Sequence, residues 1–173
     1  VRQLKTFARK EAATPQAVTV ASAIEHALMI VEPRRRETAA RIAIAPFDRQ
    51  LLLVAEAGRL EQVLVNLLRN GLDAMAGQPD AQLEVSAQRV GAMIAITVRD
   101  HGPGLPDDVR AHLFEPFYTT KPAGEGLGLG LAISLTIIES YGGTLSAHNA
   151  PEGGAVFVLT LAAAGDPDAA PDA

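Results

Sequence analysis

The spacing of apolar residues predicts helices and short strands in alternation, with one helix of unusual composition near the middle. Between Leu60 and Met75, apolar residues recur at i, i+3, i+4 and i+7, which places them on one helical face. A second stripe of this helix carries Asn66, Asn70 and Asp73. Asparagine is a mediocre helix former because its amide competes for backbone hydrogen bonds. Two interpretations stay open from these residues: a solvated polar face, or amide oxygens that bind a ligand.

The same patterns divide the rest of the chain into short elements of a mixed α/β domain. The segment 83–89 alternates apolar and polar residues, which is typical of a strand with one solvated face. The first helix should end near Pro33, because proline interrupts helices. We expect helices at about 22–32 and 129–141, and strands at 17–20, 41–45, 50–54 (joined to the preceding strand by a turn at 46–49), 83–89, 93–99, 144–149 and 155–161.

The strand that ends at Asp100 places a carboxylate in a specific position. Counting by twos from Ile96 and Val98 puts Asp100 on the buried side of the sheet, where a carboxylate requires a partner. Gly102 and Gly104 follow and allow another group to approach the backbone closely. A nucleobase edge with an exocyclic amine suits such an acceptor, and an ordinary aspartate-glycine turn is the alternative.

The segment 101–128 has the composition of a long loop, with four prolines, five glycines and three of the seven aromatic residues. Loops of this length are usually lids or disordered inserts, and the aromatic anchors favour a lid. Its end, GEGLGLG at 124–130, runs directly into the helix predicted at 129–141. Exposed backbone N–H groups at a helix N-terminus suit a polyphosphate, although neither a Walker nor a dinucleotide-binding pattern is present. A flexible linker would explain the glycines but not their alternation with leucines; Lys121 could reach a phosphate or be merely solvated.

Composition and charge exclude several classes of protein and of chemistry. The 173 residues are 48% hydrophobic and 4% aromatic, which indicates one main domain with an aliphatic core. Cysteine is absent, so disulfides and thiol chemistry are excluded, and a net charge of −5 argues against nonspecific nucleic-acid binding. No apolar stretch is long enough to cross a bilayer, so we expect the chain to be soluble, and the lack of cysteine fits a cytoplasmic location. Because it begins at Val1, with what resembles the end of another element, we interpret it as a piece of a longer protein. The basic run at 34–36 is interpreted as a solvated helix end or a partner-facing patch.

Four motifs occur in the order seen in one known family. NLLRNGLDA (66–74), DHGPG (100–104), LFEPFYTTK (113–121) and GEGLGLGLAIS (124–134) resemble the N, G1, F and G2 boxes of sensor histidine kinases. The chain thus resembles their catalytic and ATP-binding domain, within the gyrase and histidine-kinase ATPase superfamily. LKTFARK at 4–10 is similar to the end of the second dimerisation helix in kinases of the C4-dicarboxylate sensor type.

This resemblance implies an α/β (α+β) fold of the Bergerat type. Such a fold is a two-layer sandwich with a mixed sheet of about five strands, helices on one face and a long ATP lid. It also implies three regions: the end of a dimerisation helix with its linker at 1–13, the catalytic ATP-binding domain at 14–162, and a disordered tail at 163–173.

The resemblance further implies a role for each matched position. Asn70 would coordinate a Mg2+ ion that bridges the ATP phosphates, with Asn66 as the second catalytic residue, and Asp100 would accept from the adenine amine. Oxygen donors suit this hard cation. The remaining nucleotide-binding positions are Asp73 on the same helix, the base-pocket glycines Gly102 and Gly104, the lid anchors Phe114 and Phe117, and Lys121, Gly126, Leu127, Gly128, Leu129 and Gly130 at the phosphates.

The residue at position 66 helps to choose a function within this superfamily. ATPases of the gyrase, mismatch-repair and heat-shock chaperone types carry a glutamate there as a general base. Asn66 cannot take a proton from water, which favours phosphoryl transfer over hydrolysis. His101 and Glu125 depart from the residues common in these kinases, and Glu125 adds negative charge near the expected phosphate site.

No His-Glu/Asp-x-x-x-Pro phosphoacceptor motif is present, and the four histidines are interpreted as structural or solvated. The expected partners are therefore a dimerisation and phosphoacceptor domain of the same protein and the receiver domain of a response regulator. The full-length protein would be a homodimer and an inner-membrane sensor. Two alternatives stay open: a nucleotide-binding regulatory module without transfer activity, and a hydrolytic ATPase of the gyrase type.

Overall fold

The computed structural model describes residues 14–120 and 127–165. The expectations for residues 1–13, for Lys121 and Gly126, and for the tail from residue 166 onward lie outside these ranges. In chain order the elements are β1 (Gln16–Thr19), α1 (Val20–Thr38), β2 (Arg41–Ile44), β3 (Leu52–Ala55), α2 (Ala57–Ala74), β4 (Gln82–Val90), β5 (Met93–Asp100), α3 (Asp107–His112), α4 (Gly130–Ser140), β6 (Thr144–Asn149) and β7 (Ala155–Ala162).

The main sheet has five strands in the order β2-β4-β5-β7-β6. Strands β2 and β4 are parallel and the other neighbours are antiparallel, so the predicted mixed sheet is confirmed. Strands β2 and β3 flank the predicted turn but belong to different sheets, because β3 pairs with β1 in a separate antiparallel ribbon. Pairing partners of short strands are set by contacts distant in sequence, which local patterns do not contain.

Helix α1 continues past Pro33, and the prediction that it ends there was wrong. Glu32 accepts hydrogen bonds from Arg35 and Arg36 on the following turn, at 2.7–2.8 Å, and these bonds span the position where proline removes a backbone donor. The same two guanidinium groups lower the pKa of Glu32 to about 2. The helix ends instead at Thr38, and Ala39 follows it in a left-handed conformation with φ 54°.

The core lies between the main sheet and helices α1, α2 and α4. The apolar stripe predicted for α2 is confirmed as its buried face, and the inward residues of β4 and β5 oppose it. Gly71 allows the closest approach of these layers, because a Cβ there would lie 2.4 Å from Cδ1 of Leu83. With the apolar face buried, the asparagine stripe of α2 lies near the C-terminal end of the central strand β5. Within the described residues, no helix is both long and apolar enough to cross a membrane.

Candidate functional site

A cavity of about 600 Å³ opens where α2, the end of β5 and the start of α4 meet. Its walls combine one polar helix stripe, the loop after β5 and the glycine-rich turn before α4. The lining residues are Asn66, Arg69, Asn70, Asp73, Ala74, Asp100, Gly104, Leu105, Val109, Leu113, Tyr118, Thr119, Thr120, Leu127, Gly128, Leu129, Gly130, Leu131, Ala155 and Phe157.

The polar stripe of α2 forms one wall of this cavity. Asn66, Asn70 and Asp73 all line it, as expected for residues one helical turn apart. The Asn70 side chain makes no hydrogen bond to another described residue, so both ends of its amide are available to a ligand. The polar stripe is therefore part of a cavity wall and not a purely solvated helix face.

Asp100 lies at the other end of the cavity and is 3% exposed, which confirms its predicted orientation. Its Oδ1 accepts the backbone N–H groups of Gly102, at 2.9 Å, and Ala155, at 3.1 Å. Among the described residues, Oδ2 accepts no hydrogen bond. Two backbone donors thus hold one oxygen in place, and the second oxygen remains as an acceptor for a ligand's N–H group.

Asp73 forms an ion pair that the sequence did not predict. Arg34 Nε lies 2.6 Å from its Oδ1, and the same guanidinium donates to Glu37 at 2.9 Å. Arg34, the first residue of the basic run at 34–36, therefore pairs within this chain, although its side chain is still 36% exposed. These bonds to Glu37 and Asp73 raise the pKa of Arg34 above its ordinary value. The charged guanidinium therefore lies beside the Asp73 carboxylate, which lines the cavity.

The glycine-rich turn closes the cavity near the N-terminus of α4. Leu127, Gly128, Leu129 and Gly130 all line it. The carbonyl of Gly128 accepts the N–H of Phe117 at 2.9 Å, which joins the two ends of the loop. Gly128 has φ 66°, and a Cβ there would lie 2.6 Å from backbone atoms of Phe117 and Tyr118, so this contact requires glycine.

The aromatic residues of the loop divide their roles differently from the prediction. Phe114 packs against the core, as an anchor should. Phe117 is 74% exposed and has φ 66°, so it does not pack into the core as Phe114 does. Tyr118, the next residue, lines the cavity. Gly102 does not line the cavity, but its N–H donates to Asp100, which does.

Sequence reasoning missed about half of the cavity lining. The short helix α3 contributes Val109, and the loop before it contributes Leu105. The proline and glycine residues around α3 indicated a loop, so this helix was not predicted. The two-residue alternation of β7 could have placed Ala155 and Phe157 on the inner face of the sheet. Arg69 could have been proposed because it directly precedes Asn70 in the sequence.

The paired histidines contact acidic residues outside the cavity. His101 Nε2 lies 2.8 Å from Glu84 on the neighbouring strand, and His26 and His112 have similar partners. None of these three histidines lines the cavity. Their side chains are 38–54% exposed, which agrees with the interpretation of them as structural or solvated.

The loop that follows Asp100 is held by a side-chain clamp. Asn149, at the end of β6, accepts the N–H of Leu105 at 2.7 Å and donates to the Leu105 carbonyl at 2.8 Å. Gly104 fits beneath it, because a Cβ there would lie 2.9 Å from Asn149 Oδ1. The clamp fixes the backbone that forms the rim of the cavity near Asp100.

Replacing Asn149 by alanine is expected to weaken nucleotide binding about 3- to 10-fold, because two hydrogen bonds that preorganise the Leu105 backbone are lost. Calorimetric titration with a nonhydrolysable ATP analogue measures this change. The matched control is His148→Ala, the adjacent residue of the same strand, which is expected to bind normally. Equal weakening by both variants would assign the effect to β6 rather than to the clamp.

The donor set of the cavity fits a divalent cation only together with a ligand. Within residues 14–120 and 127–165, no cluster of three or more histidine, cysteine or acidic side chains could hold a metal by itself. Asn66 and Asn70 offer oxygen donors to a hard cation, and Mg2+ typically takes its other ligands from water and substrate phosphates. The site therefore fits a metal that arrives with a polyphosphate.

Fold and cavity together define a nucleotide-binding ATPase domain of the two-layer α/β type. The chain belongs to the family of histidine kinase-, DNA gyrase B- and HSP90-like ATPases, whose family profile matches residues 55–165. This membership confirms the predicted superfamily.

The similar proteins are sensor kinases. The C4-dicarboxylate transport sensor protein DctB of Pseudomonas aeruginosa is 42% identical over 93% of this chain, and DctB of Rhizobium meliloti is 40% identical over 92%. The chain spans about a quarter of the length of these relatives, 26% and 25%. The solved catalytic domain of histidine kinase ThkA aligns with a TM-score of 0.77 and 26% identity, covering 86% of this chain and 95% of that domain.

Proposed function

We propose that this domain binds Mg-ATP and donates the γ-phosphoryl group to a histidine on a dimerisation domain of the same protein. The observation that carries the proposal is the absence of an available general base from the described part of the cavity wall. Asn66 and Asn70 are amides, Asp73 is held in an ion pair with Arg34, and Asp100 already accepts two backbone N–H groups. A site of this kind retains the γ-phosphate for a protein nucleophile instead of hydrolysing it.

The residues of this chain would then act by positioning and by charge neutralisation. Asp100 Oδ2 would accept the adenine amine, which fixes the base end of the nucleotide. The N-terminus of α4 would direct its partial positive charge at the phosphates, beginning at Gly130. Asn70, assisted by Asn66, would hold Mg2+, which supplies charge neutralisation of the triphosphate when bound.

The similar proteins support the wider assignment. Relatives at 40–42% identity are named as transport sensor proteins, and a two-component sensor of this kind would pass its phosphoryl group to a response regulator receiver domain. Histidine kinase ThkA has been solved in complex with a response regulator protein. We accordingly propose that the full-length protein is a homodimeric inner-membrane sensor with this domain in the cytoplasm.

The test is phosphoryl transfer in trans. A separately produced dimerisation domain of the same protein, mixed with this chain and γ-labelled Mg-ATP, is expected to gain an acid-labile phosphohistidine. ATP binding without any labelled histidine would favour the regulatory-module alternative. Steady phosphate release by the chain alone would favour the gyrase-type ATPase.

Replacing Asn70 by alanine is expected to lower transfer about 100-fold, because an oxygen donor to the cation is lost at the point where charge must be neutralised. Labelled phosphohistidine, measured over a Mg2+ titration, checks this. Gln62→Ala on the exposed face of the same helix is the matched control and is expected to transfer normally. Transfer by Asn70→Ala at the wild-type rate would remove Asn70 from the metal site.

A further inference from the structure

A buried hydroxyl group on α4 reaches the cavity through Asn66. Ser134 is 2% exposed and lies one turn beyond Gly130. Its Oγ lies 2.9 Å from the carbonyl oxygen of Gly130 and 3.0 Å from Nδ2 of Asn66. Two helices are thereby joined by a side-chain hydrogen bond beside the proposed phosphate end of the cavity.

The hydrogen bonds of Ser134 determine which end of the Asn66 amide faces it. A hydroxyl group has one hydrogen, and the carbonyl of Gly130 accepts it, so Oγ meets Asn66 as an acceptor. Asn66 must therefore present its NH2 group to Ser134. Its Oδ1 then lies on the other side, next to Gly130, where a Cβ would approach it to 2.4 Å.

The remaining end of this amide is available to a ligand. Among the described residues, Asn66 Oδ1 accepts no hydrogen bond, and Asn66 lines the cavity. The glycine at position 130 leaves the space that this oxygen occupies. The amide is thus held at its nitrogen end and open at its oxygen end.

We propose that Ser134 is a positioning residue that orients the Asn66 amide with its oxygen toward the phosphate end of the cavity, an inference that rests on the proposed Mg-ATP function. The orientation matters because the amide oxygen can bind Mg2+ or one of its waters, whereas the NH2 group, a hydrogen-bond donor with partial positive charge, would repel the cation. The terminal torsion of asparagine is broad and roughly two-fold, so rotation alone does not select one end. The serine hydroxyl supplies that selection.

The proposal predicts a selective effect of Ser134→Ala. The affinity for a nonhydrolysable ATP analogue with Mg2+ is expected to fall about 3- to 10-fold, the range for losing one neutral hydrogen bond. Affinity for the same analogue in EDTA is expected to stay unchanged. Thr136→Ala is the matched control, because Thr136 makes the same kind of bond to a preceding carbonyl, at 3.0 Å, on the exposed face of α4.

A double-mutant cycle separates positioning from packing. In an Asn66→Ala background, Ser134→Ala is expected to have no further effect on Mg2+-dependent binding, because the group that it positions is gone. In the nucleotide-free wild-type chain, nuclear magnetic resonance should show the Asn66 NH2 protons protected from solvent exchange, and Ser134→Ala should remove that protection.

Four results would overturn the proposal. Equal losses for Ser134→Ala with and without Mg2+, or a Ser134→Ala loss that persists in the Asn66→Ala background, would assign Ser134 to helix packing. An unprotected Asn66 NH2 group in the wild-type chain would contradict the hydrogen bond itself. If the wild-type chain binds no Mg-nucleotide at all, the proposed function fails, and the role of Ser134 fails with it.

Discussion

Replacing Asp100 by asparagine is expected to lower the affinity for ATP about 10- to 100-fold and to reverse the preference for the base. An asparagine oxygen can still accept the N–H groups of Gly102 and Ala155, so the local structure should persist. The amide nitrogen would then replace Oδ2 as the group that meets the ligand. A donor would face the adenine amine, and an unpaired buried donor costs about 1–3 kcal/mol.

Competition between ATP and ITP measures this change. Hypoxanthine carries a carbonyl oxygen where adenine carries its amine, so the variant is expected to favour ITP, whereas the wild-type chain favours ATP. Asp108→Asn, an exposed change on α3 outside the cavity, is the matched control and should keep the ATP preference. An Asp100→Asn variant that folds normally and still selects ATP would show that Asp100 does not contact the base.

The sequence predicted the parts of the site that depend on local periodicity. The i, i+4, i+7 spacing of α2 correctly placed Asn66, Asn70 and Asp73 on one wall, because helical geometry is independent of what packs around it. The two-residue repeat of β5 likewise placed Asp100 on the buried side. Asp100 also required a partner, as predicted, and its partners are two backbone N–H groups, one from Gly102, two residues away, and one from Ala155, 55 residues away.

The features that could not be predicted depend on contacts between segments far apart in the chain. Arg34 and Asp73 are 39 residues apart, and only the packing of α1 on α2 brings them together. The Asn66 and Ser134 contact spans 68 residues. Phe117 is exposed and has a positive φ that its residue type disfavours, and composition indicates neither feature.

Replacing Gly154 by alanine is expected to destabilise the fold strongly, by about 3 kcal/mol or more, and to displace Asp100. Gly154 directly precedes β7, whose first residue, Ala155, donates to Asp100 Oδ1. A Cβ at Gly154 would meet the backbone carbonyl of Asp100, with backbone atoms of His101 close behind. Since these neighbours are backbone, the clash can be relieved only by moving the end of β5 or the start of β7.

Gly153 provides a matched control for the backbone conformation. Both glycines have positive φ, 98° at Gly153 and 86° at Gly154, but a Cβ at Gly153 would meet nothing within 4 Å. Gly153→Ala should therefore cost only the left-handed strain, about 1–2 kcal/mol. Thermal and urea unfolding of both variants separates strain from the clash: equal losses would refute the close contact. A larger loss at Gly154, together with weaker ATP binding by the folded fraction, would show that this glycine lets the hairpin hold the carboxylate of Asp100, the group proposed to accept the adenine amine.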